Sequence, residues 1–254
     1  MEGIVVIPTY NEHHNIAALI KHIFALKLKQ SHTLKVVVID DASPDGTAQI
    51  VKELIPHYPE KLFLIERKNE RGRGSAGLKG FLFCLEQQVD YIIEMDADFS
   101  HDPEYLTLFL ELATYYDVII GSRFVQGGQS IDRKIYRKVI SAIANKIYRL
   151  VLGLRLQDIS GGFKCYRKEV LMQLNFAKFY SKGYSIGLEM LYRIHLTKAN
   201  FLEIPIYFKE RQKGMSKFSF REIIEALCVT LKLCWHYRIL NRIVASAGRK
   251  FYSR

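Results

Sequence analysis

Asp96 and Asp98 stand one residue apart at the end of the apolar run Tyr91-Ile92-Ile93-Glu94-Met95. The run reads as a buried strand, and side chains at i and i+2 of a strand leave on the same side. Extended geometry through Ala97 would send both carboxylates into one space beyond the sheet. Two hard oxygen donors held together suit Mg²⁺ or Mn²⁺, which arrives bridging substrate phosphates. Two acids solvating a strand end would look the same, so the place of the pair in the fold decides.

The elements around it alternate. Gly3 to Ile7 is a short apolar strand stopped by Pro8, followed by Tyr10-Asn11-Glu12 and a helical stretch from Ile16 to Leu26. Leu34 to Ile39 is a second strand ending in Asp40-Asp41; Ala42-Ser43-Pro44-Asp45-Gly46 then turns into a helix reaching about Tyr58. Leu62 to Ile65 is a third strand, a basic glycine-rich loop and a helix from Ala76 to about Gln87 follow, and Val89 to Met95 is the fourth strand. Strands separated by helix-length segments predict a mainly parallel sheet with helices on both faces, an α/β fold. Such sheets bind ligands beyond the carboxyl ends of their strands, where the strand order reverses. Tyr10 to Glu12, Asp40-Asp41 and Asp96/Asp98 all fall at carboxyl ends.

One motif offers a rival. Gly72-Arg73-Gly74-Ser75-Ala76-Gly77 fits the G-x-G-x-x-G pattern of nicotinamide- and flavin-binding folds and sits between a strand and a helix. It follows the third strand rather than the first, and Arg67, Lys68, Arg71 and Arg73 give the loop more charge than a backbone cradle needs. A phosphate-facing loop fits either reading.

Further along, Asp117 to Gly121 reads as a fifth strand that delivers Ser122-Arg123 to the same rim. A helix from about Arg133 to Leu152 carries the stripe Ile135, Val139, Ile143, Ile147, Leu150 and Val151, with Arg137 and Ser141 one turn apart on another face. Asp158-Ile159-Ser160-Gly161-Gly162-Phe163 is a tight polar turn in which Asp158 can bond local amides. Glu189 lies in a helix from about Ser185 to Thr197, with nothing to distinguish it from a surface acid. Arg211 to Lys217 brackets a glycine and a hydroxyl with cations, a loop that could fold over a diphosphate. Ser219 and Glu222 have capping-box spacing. The helix they would start carries Phe220, Ile223, Ile224, Leu227, Leu231, Cys234 and Trp235 on one side, and runs into a tail with Arg238, Arg242, Arg249, Lys250 and Arg254. An amphipathic helix with a basic tail suits an anionic membrane surface; packing on the core or on a partner subunit fits the pattern equally.

The chain has 254 residues, 49% of them hydrophobic, enough for one substantial core. Lys and Arg number 37 against 26 Asp and Glu, a formal charge of +11, which favours phosphate-bearing partners: nucleotide, nucleic acid or anionic membrane. Cys84, Cys165, Cys228 and Cys234 show neither metal-ligand spacing nor a disulfide framework, as expected in a reducing compartment. The first strand leaves no room for a signal peptide, and no uncharged apolar run is long enough to span a bilayer.

Together, Pro8 to Glu12, Asp40 to Thr47, Met95 to His101, Gly121-Ser122-Arg123 and Arg211 to Lys217 resemble, in order, the motifs of family 2 glycosyltransferases, more narrowly the dolichol-phosphate or polyprenol-phosphate mannosyltransferases. The resemblance implies a nucleotide-sugar-binding fold of the A type in residues 1–217, with 218–254 as the amphipathic basic end. It implies inverting transfer of mannose from GDP-mannose to a polyprenyl (dolichyl) phosphate, with a UDP-linked glucose or modified sugar as the alternative donor. Pro8, Tyr10, Glu12, Asp40, Asp41 and Ala97 would bind the nucleotide sugar, and Arg211 and Lys217 would close over its diphosphate. Asp96, Asp98 and Ser100 would hold Mg²⁺ or Mn²⁺; Arg123, Arg137 and Ser141 would bind acceptor phosphate, Arg123 and Arg137 sharing the catalytic work with the aspartates. The implied partners are the two substrates, a cytoplasmic membrane face and a small membrane-anchoring subunit, with no nucleic acid. Many relatives carry arginine where this chain has Ala142, and many continue into transmembrane helices.

Overall fold

The computed structural model describes residues 1–68, 70–132, 134–181, 183, 185–209 and 220–240. Its centre is β1 (Glu2–Thr9), whose Ile4, Val5, Val6 and Ile7 are all fully buried. A strand apolar on both faces needs cover on both, and helices supply it. β1 pairs in parallel with β2 (Thr33–Asp40) on one side and β4 (Tyr91–Glu94) on the other, and β3 (Leu62–Glu66) extends the sheet beyond β2. β7 (Lys164–Arg167) inserts antiparallel between β4 and β5 (Val118–Ser122), and β8 (Phe201–Pro205) pairs in parallel with β5, giving the order β3-β2-β1-β4-β7-β5-β8. A small parallel pair joins β6 (Gln129–Ile131) to β9 (Tyr207–Lys209).

One face of the sheet is covered by α1 (Ile16–Ala25), which buries Ile16, Leu19, Ile20 and Ile23 at helical spacing, with α2 (Thr47–Leu54) and α4 (Tyr105–Leu112) beside it. The other carries α3 (Arg73–Glu86), α6 (Lys168–Met172) and α7 (Ile186–Leu196), joined by α5 (Ile135–Leu152) and α8 (Phe220–Leu233). α3 lies close on β1: a Cβ at Gly80 would meet Val6 Cγ1 at 2.3 Å, so only glycine admits that approach. α5 stops at Gly153, whose φ of 72° is the left-handed cap glycine adopts at least cost.

The expected alternation and the mainly parallel sheet are present, with several boundaries moved. β4 ends at Glu94, before the aspartate pair. α2 ends at Leu54 and passes into a short 3₁₀ turn (Ile55–His57), because Pro56 cannot extend the α-helical ladder. α3 begins at Arg73, so all of the glycine-rich motif after Gly72 is helix rather than loop. Among the described residues no helix is long and apolar enough to cross a membrane.

Candidate active site

At the point where the strand order reverses around β1, a crevice of about 290 Å³ opens beyond the carboxyl ends of β1, β2 and β4. Pro8, Tyr10, Glu12, Asp41, Asp96 and Ala97 line it, as the sequence placed them; so do Thr9, Arg71, Gly72, Arg73, Ala76 and, from α8, Glu222. The Arg71 guanidinium lies 5.1 Å from the centre of the Tyr10 ring, putting a cation and an aromatic face side by side at the mouth.

The acids at the strand ends differ in what they do. Asp40 is fully buried and accepts hydrogen bonds from Thr9 Oγ1 (3.0 Å), Ser43 N (2.8 Å) and Ser43 Oγ (2.6 Å). It braces the turn behind the crevice and is not among the residues that line it. Asp41 does line the crevice and is held by Arg67 (Nε 2.7 Å, Nη2 2.6 Å) and by the Gly72 amide (2.8 Å). Glu12 is buried, with Asn15 Nδ2 donating to its Oε2 at 3.0 Å.

Asp96 owes its position to Arg73. The guanidinium donates to Asp96 Oδ1 from Nε (2.9 Å) and Nη2 (2.6 Å), and from Nη1 to the buried Glu94 (2.8 Å). His101 Nδ1 accepts from the Asp96 amide at 3.1 Å, and its ring stacks on Phe163 with centroids 4.8 Å apart. An accepting Nδ1 carries no proton, and burial lowers the His101 pKa against the pull of Asp96 and Asp98, so the ring is a neutral prop. The chain then turns sharply rather than continuing as a strand: Asp98 Oδ1 accepts from Ser100 N at 3.0 Å, and Phe99 between them has φ 58°. A bulky residue held in the left-handed region stores strain, a condition that recurs at functional sites. The expectation that extended geometry aligns the two carboxylates fails here; a turn presents them instead.

The residues of this turn fit a divalent metal. Ser100 Oγ is buried and, among the described residues, has no hydrogen-bond partner, while its amide donates to Asp98 Oδ1. A hydroxyl of this kind in the same turn as two carboxylates is an all-oxygen set suited to a hard cation that keeps waters and phosphate oxygens as its other ligands. Among the described residues, no group of three or more His, Cys, Asp or Glu offers a denser cage.

Arg123 sits at the end of β5, 9% exposed, and its fork is already engaged: Nε to Asp158 Oδ2 (2.7 Å), Nη2 to Asp158 Oδ1 (2.8 Å) and to Ser160 Oγ (2.9 Å). Burial opposes both charges, but each partner sustains the other, so the Arg123 pKa is raised and the Asp158 pKa lowered. Phe208 bridges back to the aspartate turn, 5.3 Å from the Arg123 guanidinium and 5.5 Å from the His101 ring. Asp158 therefore does more than bond local amides. Arg137 is half-buried on α5, its Nε 3.3 Å from Tyr136 Oη, and Ser141 is half-buried one turn on. Arg211, Lys217 and the Ser219 cap lie outside the described residues. Glu189 is fully buried under Arg193, Tyr180 N and Ser181 N, a structural acid rather than a surface one.

The apolar stripe of α5 faces outward. Ile135 is 75% exposed and Leu150 71%, with Val139, Ile140 and Ile143 also exposed, while Asn145, Tyr148 and Leu152 turn inward. α8 packs on α5 and α7 through buried Val229 and Leu233, and Glu225 accepts from Gly183 N (2.8 Å) and Ser185 Oγ (2.7 Å). Its Ile224, Leu227 and Leu231 (64%) stay exposed, as does Trp235 (59%) in the π-helical stretch Cys234–Leu240 that follows.

The family model "Glycosyl transferase family 2" matches residues 4–174. The chain is 37% identical over 225 residues to polyprenol monophosphomannose synthase of Mycolicibacterium smegmatis, covering 88% of this chain and 83% of that protein. It is 36% identical over 219 residues to undecaprenyl-phosphate mannosyltransferase of Micrococcus luteus, covering 86% and 88%. Its fold is shared by glucosyl-3-phosphoglycerate synthase of Mycobacterium tuberculosis, solved with Mn²⁺, UDP-glucose and phosphoglyceric acid, at TM-score 0.64, 15% identity, and coverage of 91% and 79%. The same enzyme solved with Mg²⁺ and UDP superposes at TM-score 0.62 and 16% identity, covering 91% and 79%.

Proposed function

The chain belongs to glycosyl transferase family 2, and we propose that it transfers mannose from GDP-mannose to a polyprenyl phosphate, with inversion at the sugar carbon. The carrying observation is the crevice at the strand-order reversal, where Tyr10, Glu12, Asp41 and Asp96 converge, in a chain whose relatives are named for mannosyl transfer to polyprenyl phosphates.

In this reading Tyr10, Glu12 and Asp41 hold the nucleoside, and Arg71 lies beside the diphosphate. Asp96, Asp98 and Ser100 would hold Mg²⁺ or Mn²⁺, which would offset charge on the departing diphosphate. Arg73 and His101 fix Asp96 from behind. The acceptor needs no general base: a phosphate monoester has a second pKa of about 6 and is largely dianionic at neutral pH. Its oxygen attacks the sugar carbon as the bond to the diphosphate breaks, and nucleoside diphosphate leaves without a proton changing hands. What the acceptor needs is cationic positioning. Arg137 and Ser141 supply it, and Arg123 contributes whatever donor capacity its pair with Asp158 leaves. Arg211 and Lys217 close over the donor.

The outward apolar faces of α5 and α8 seat the enzyme peripherally on the cytoplasmic face of a membrane, where its lipid acceptor resides; a small membrane subunit would use the same faces. The test is incubation with a panel of radiolabelled nucleotide sugars and a short polyprenyl phosphate. Lipid-linked label from GDP-mannose is the expected result. Label from a UDP-sugar alone, or none with any donor, would overturn the assignment.

A further inference from the structure

A second cavity, of about 550 Å³, lies between the C-terminal half of α5 and the segment that follows it. It shares no lining residue with the donor crevice. Its walls combine Lys146, Arg149 and Arg155 with Phe124, Leu150 and Leu154, and no carboxylate lines it. All three cations are exposed, and among the described residues none is in an ion pair; Arg149 makes only a long contact to Gln157 Oε1, at 3.4 Å. Three like charges gathered around one hollow repel one another, and an anion entering it would relieve that.

Position narrows the anion. On α5, Lys146 lies on the same outward face as Ile135, Val139, Ile143 and Leu150, with Arg149 at its edge, and Leu150 belongs to both band and cavity. Were the band in acyl chains, the cations beside it would lie at headgroup depth, where an anionic leaflet supplies phosphodiesters. We propose that this cavity binds the phosphate of an anionic phospholipid headgroup, a site separate from that of the acceptor phosphate. The inference rests on the reading of α5 and α8 as a membrane face and adds lipid selectivity to it. The cavity wall also meets the catalytic side. Asn145 Oδ1 accepts from Ile159 N and Ser160 N (3.0 Å each) and its Nδ2 donates to Ser160 Oγ (3.2 Å), the hydroxyl that Arg123 contacts. A headgroup here would steady the support of Arg123.

The experiment is vesicle co-sedimentation of the full chain, with vesicles of phosphatidylcholine alone or with phosphatidylglycerol. Three proteins are compared: wild type, the triple variant Lys146→Gln/Arg149→Gln/Arg155→Gln, and a charge-matched control Lys21→Gln/Lys27→Gln/Lys61→Gln. At roughly fivefold per cation at the surface, three cations amount to about 100-fold, so the cavity variant should lose affinity for the anionic vesicles on that order, and the control under about threefold. Binding to neutral vesicles and GDP-mannose affinity should be unchanged in both, and matching thermal transitions would show both folded. Equal losses in the two triple variants would overturn the site in favour of net charge alone. Saturable binding of glycerol phosphate by the free protein, with no preference of the wild type for anionic vesicles, would overturn the lipid source. If the wild type bound no vesicles of either kind while still glycosylating a detergent-dispersed acceptor, the membrane reading would fall, the site with it, and the enzyme assignment would stand.

Discussion

Asp158→Asn should be among the most damaging single-atom changes in the protein. Both carboxylate oxygens accept hydrogen bonds: Oδ2 from Arg123 Nε (2.7 Å) and N (2.9 Å), Oδ1 from Arg123 Nη2 (2.8 Å), Gly161 N (2.9 Å) and, at 3.4 Å, Ser160 Oγ. An amide turns one of those ends into a donor facing donors and leaves the buried Arg123 charge without its counter-charge. Breaking a buried pair from one side costs about 3–5 kcal/mol. At about 2.1 cal/mol/K per residue, 254 residues give an unfolding entropy of roughly 0.5 kcal/mol/K, so the midpoint should fall by about 6–10 °C. Urea unfolding of the two single variants and of Arg123→Met/Asp158→Asn closes a double-mutant cycle, with an expected coupling of at least about 2 kcal/mol. The effect depends on pH. Burial raises the Asp158 pKa, but the charge and hydrogen bonds of Arg123 outweigh it, so the folded value lies below 3.8. The contribution is complete above that value and is lost as pH falls through the folded pKa, so the acid limb should be steeper in wild type than in Asp158→Asn. A midpoint shift under about 2 °C, or coupling below about 0.5 kcal/mol, would refute the buried-pair account.

Asp98→Asn should abolish Mn²⁺ binding measured by electron paramagnetic resonance with GDP and greatly reduce turnover; full activity in excess chelator would count against any metal. Arg137→Ala should lower kcat/KM for polyprenyl phosphate by about 10- to 100-fold, the worth of a charge-assisted bond, with GDP-mannose affinity within about twofold. Efficient transfer to an uncharged polyprenol would exclude the phosphate mechanism. Gly74→Ala puts a Cβ 1.8 Å from the Gly183 carbonyl oxygen, so the start of α3 must shift and carry Arg73 with it. A loss of about 1–3 kcal/mol in urea unfolding together with weakened donor binding is expected, and wild-type values for both would refute the contact. Lys164 is buried with its pKa lowered to about 8 from 10.5, so the unfolded chain binds more protons between those values and stability should rise with pH across that window. Lys164→Met should flatten that rise.

Local patterns carried the reading furthest. The apolar runs located the strands, and acids at three strand ends located the crevice, because a parallel sheet gathers its strand termini on one edge. What stayed hidden depends on contacts that cross the chain. Arg73 was legible only as loop charge, since its bond to Asp96 exists because α3 starts beside the end of β4. The turn at Asp158 did yield its local bond to Gly161 N, and nothing in that turn announces Arg123, 35 residues away, as its main partner. Asp40 and Asp41 are adjacent and chemically identical, yet one braces a turn and the other faces the crevice.

The helices α5 and α8 show a different limit. Periodicity identifies a stripe but is silent on what covers it, and the ordinary expectation is that the apolar side goes to the core. On α5 only part of the apolar surface does so: Tyr148 and Leu152 join the core and Asn145 bonds the amides of Ile159 and Ser160, while Ile135, Ile140 and Ile143 meet the outside. The inward side of this helix is divided between the core and the turn that contacts Arg123, which leaves the outer isoleucines for something other than the core. α8 behaves similarly, with Glu222 in the crevice, Glu225 tied to Gly183 and Ser185, and Leu231 outside, followed by exposed Trp235 just past its end. Two helices that each give one side to the site and an apolar side to the exterior make sense together when the acceptor's own tail lies in that exterior. On the proposed function, the same helices that would order the polar head of a lipid acceptor would rest in the layer that holds its chain.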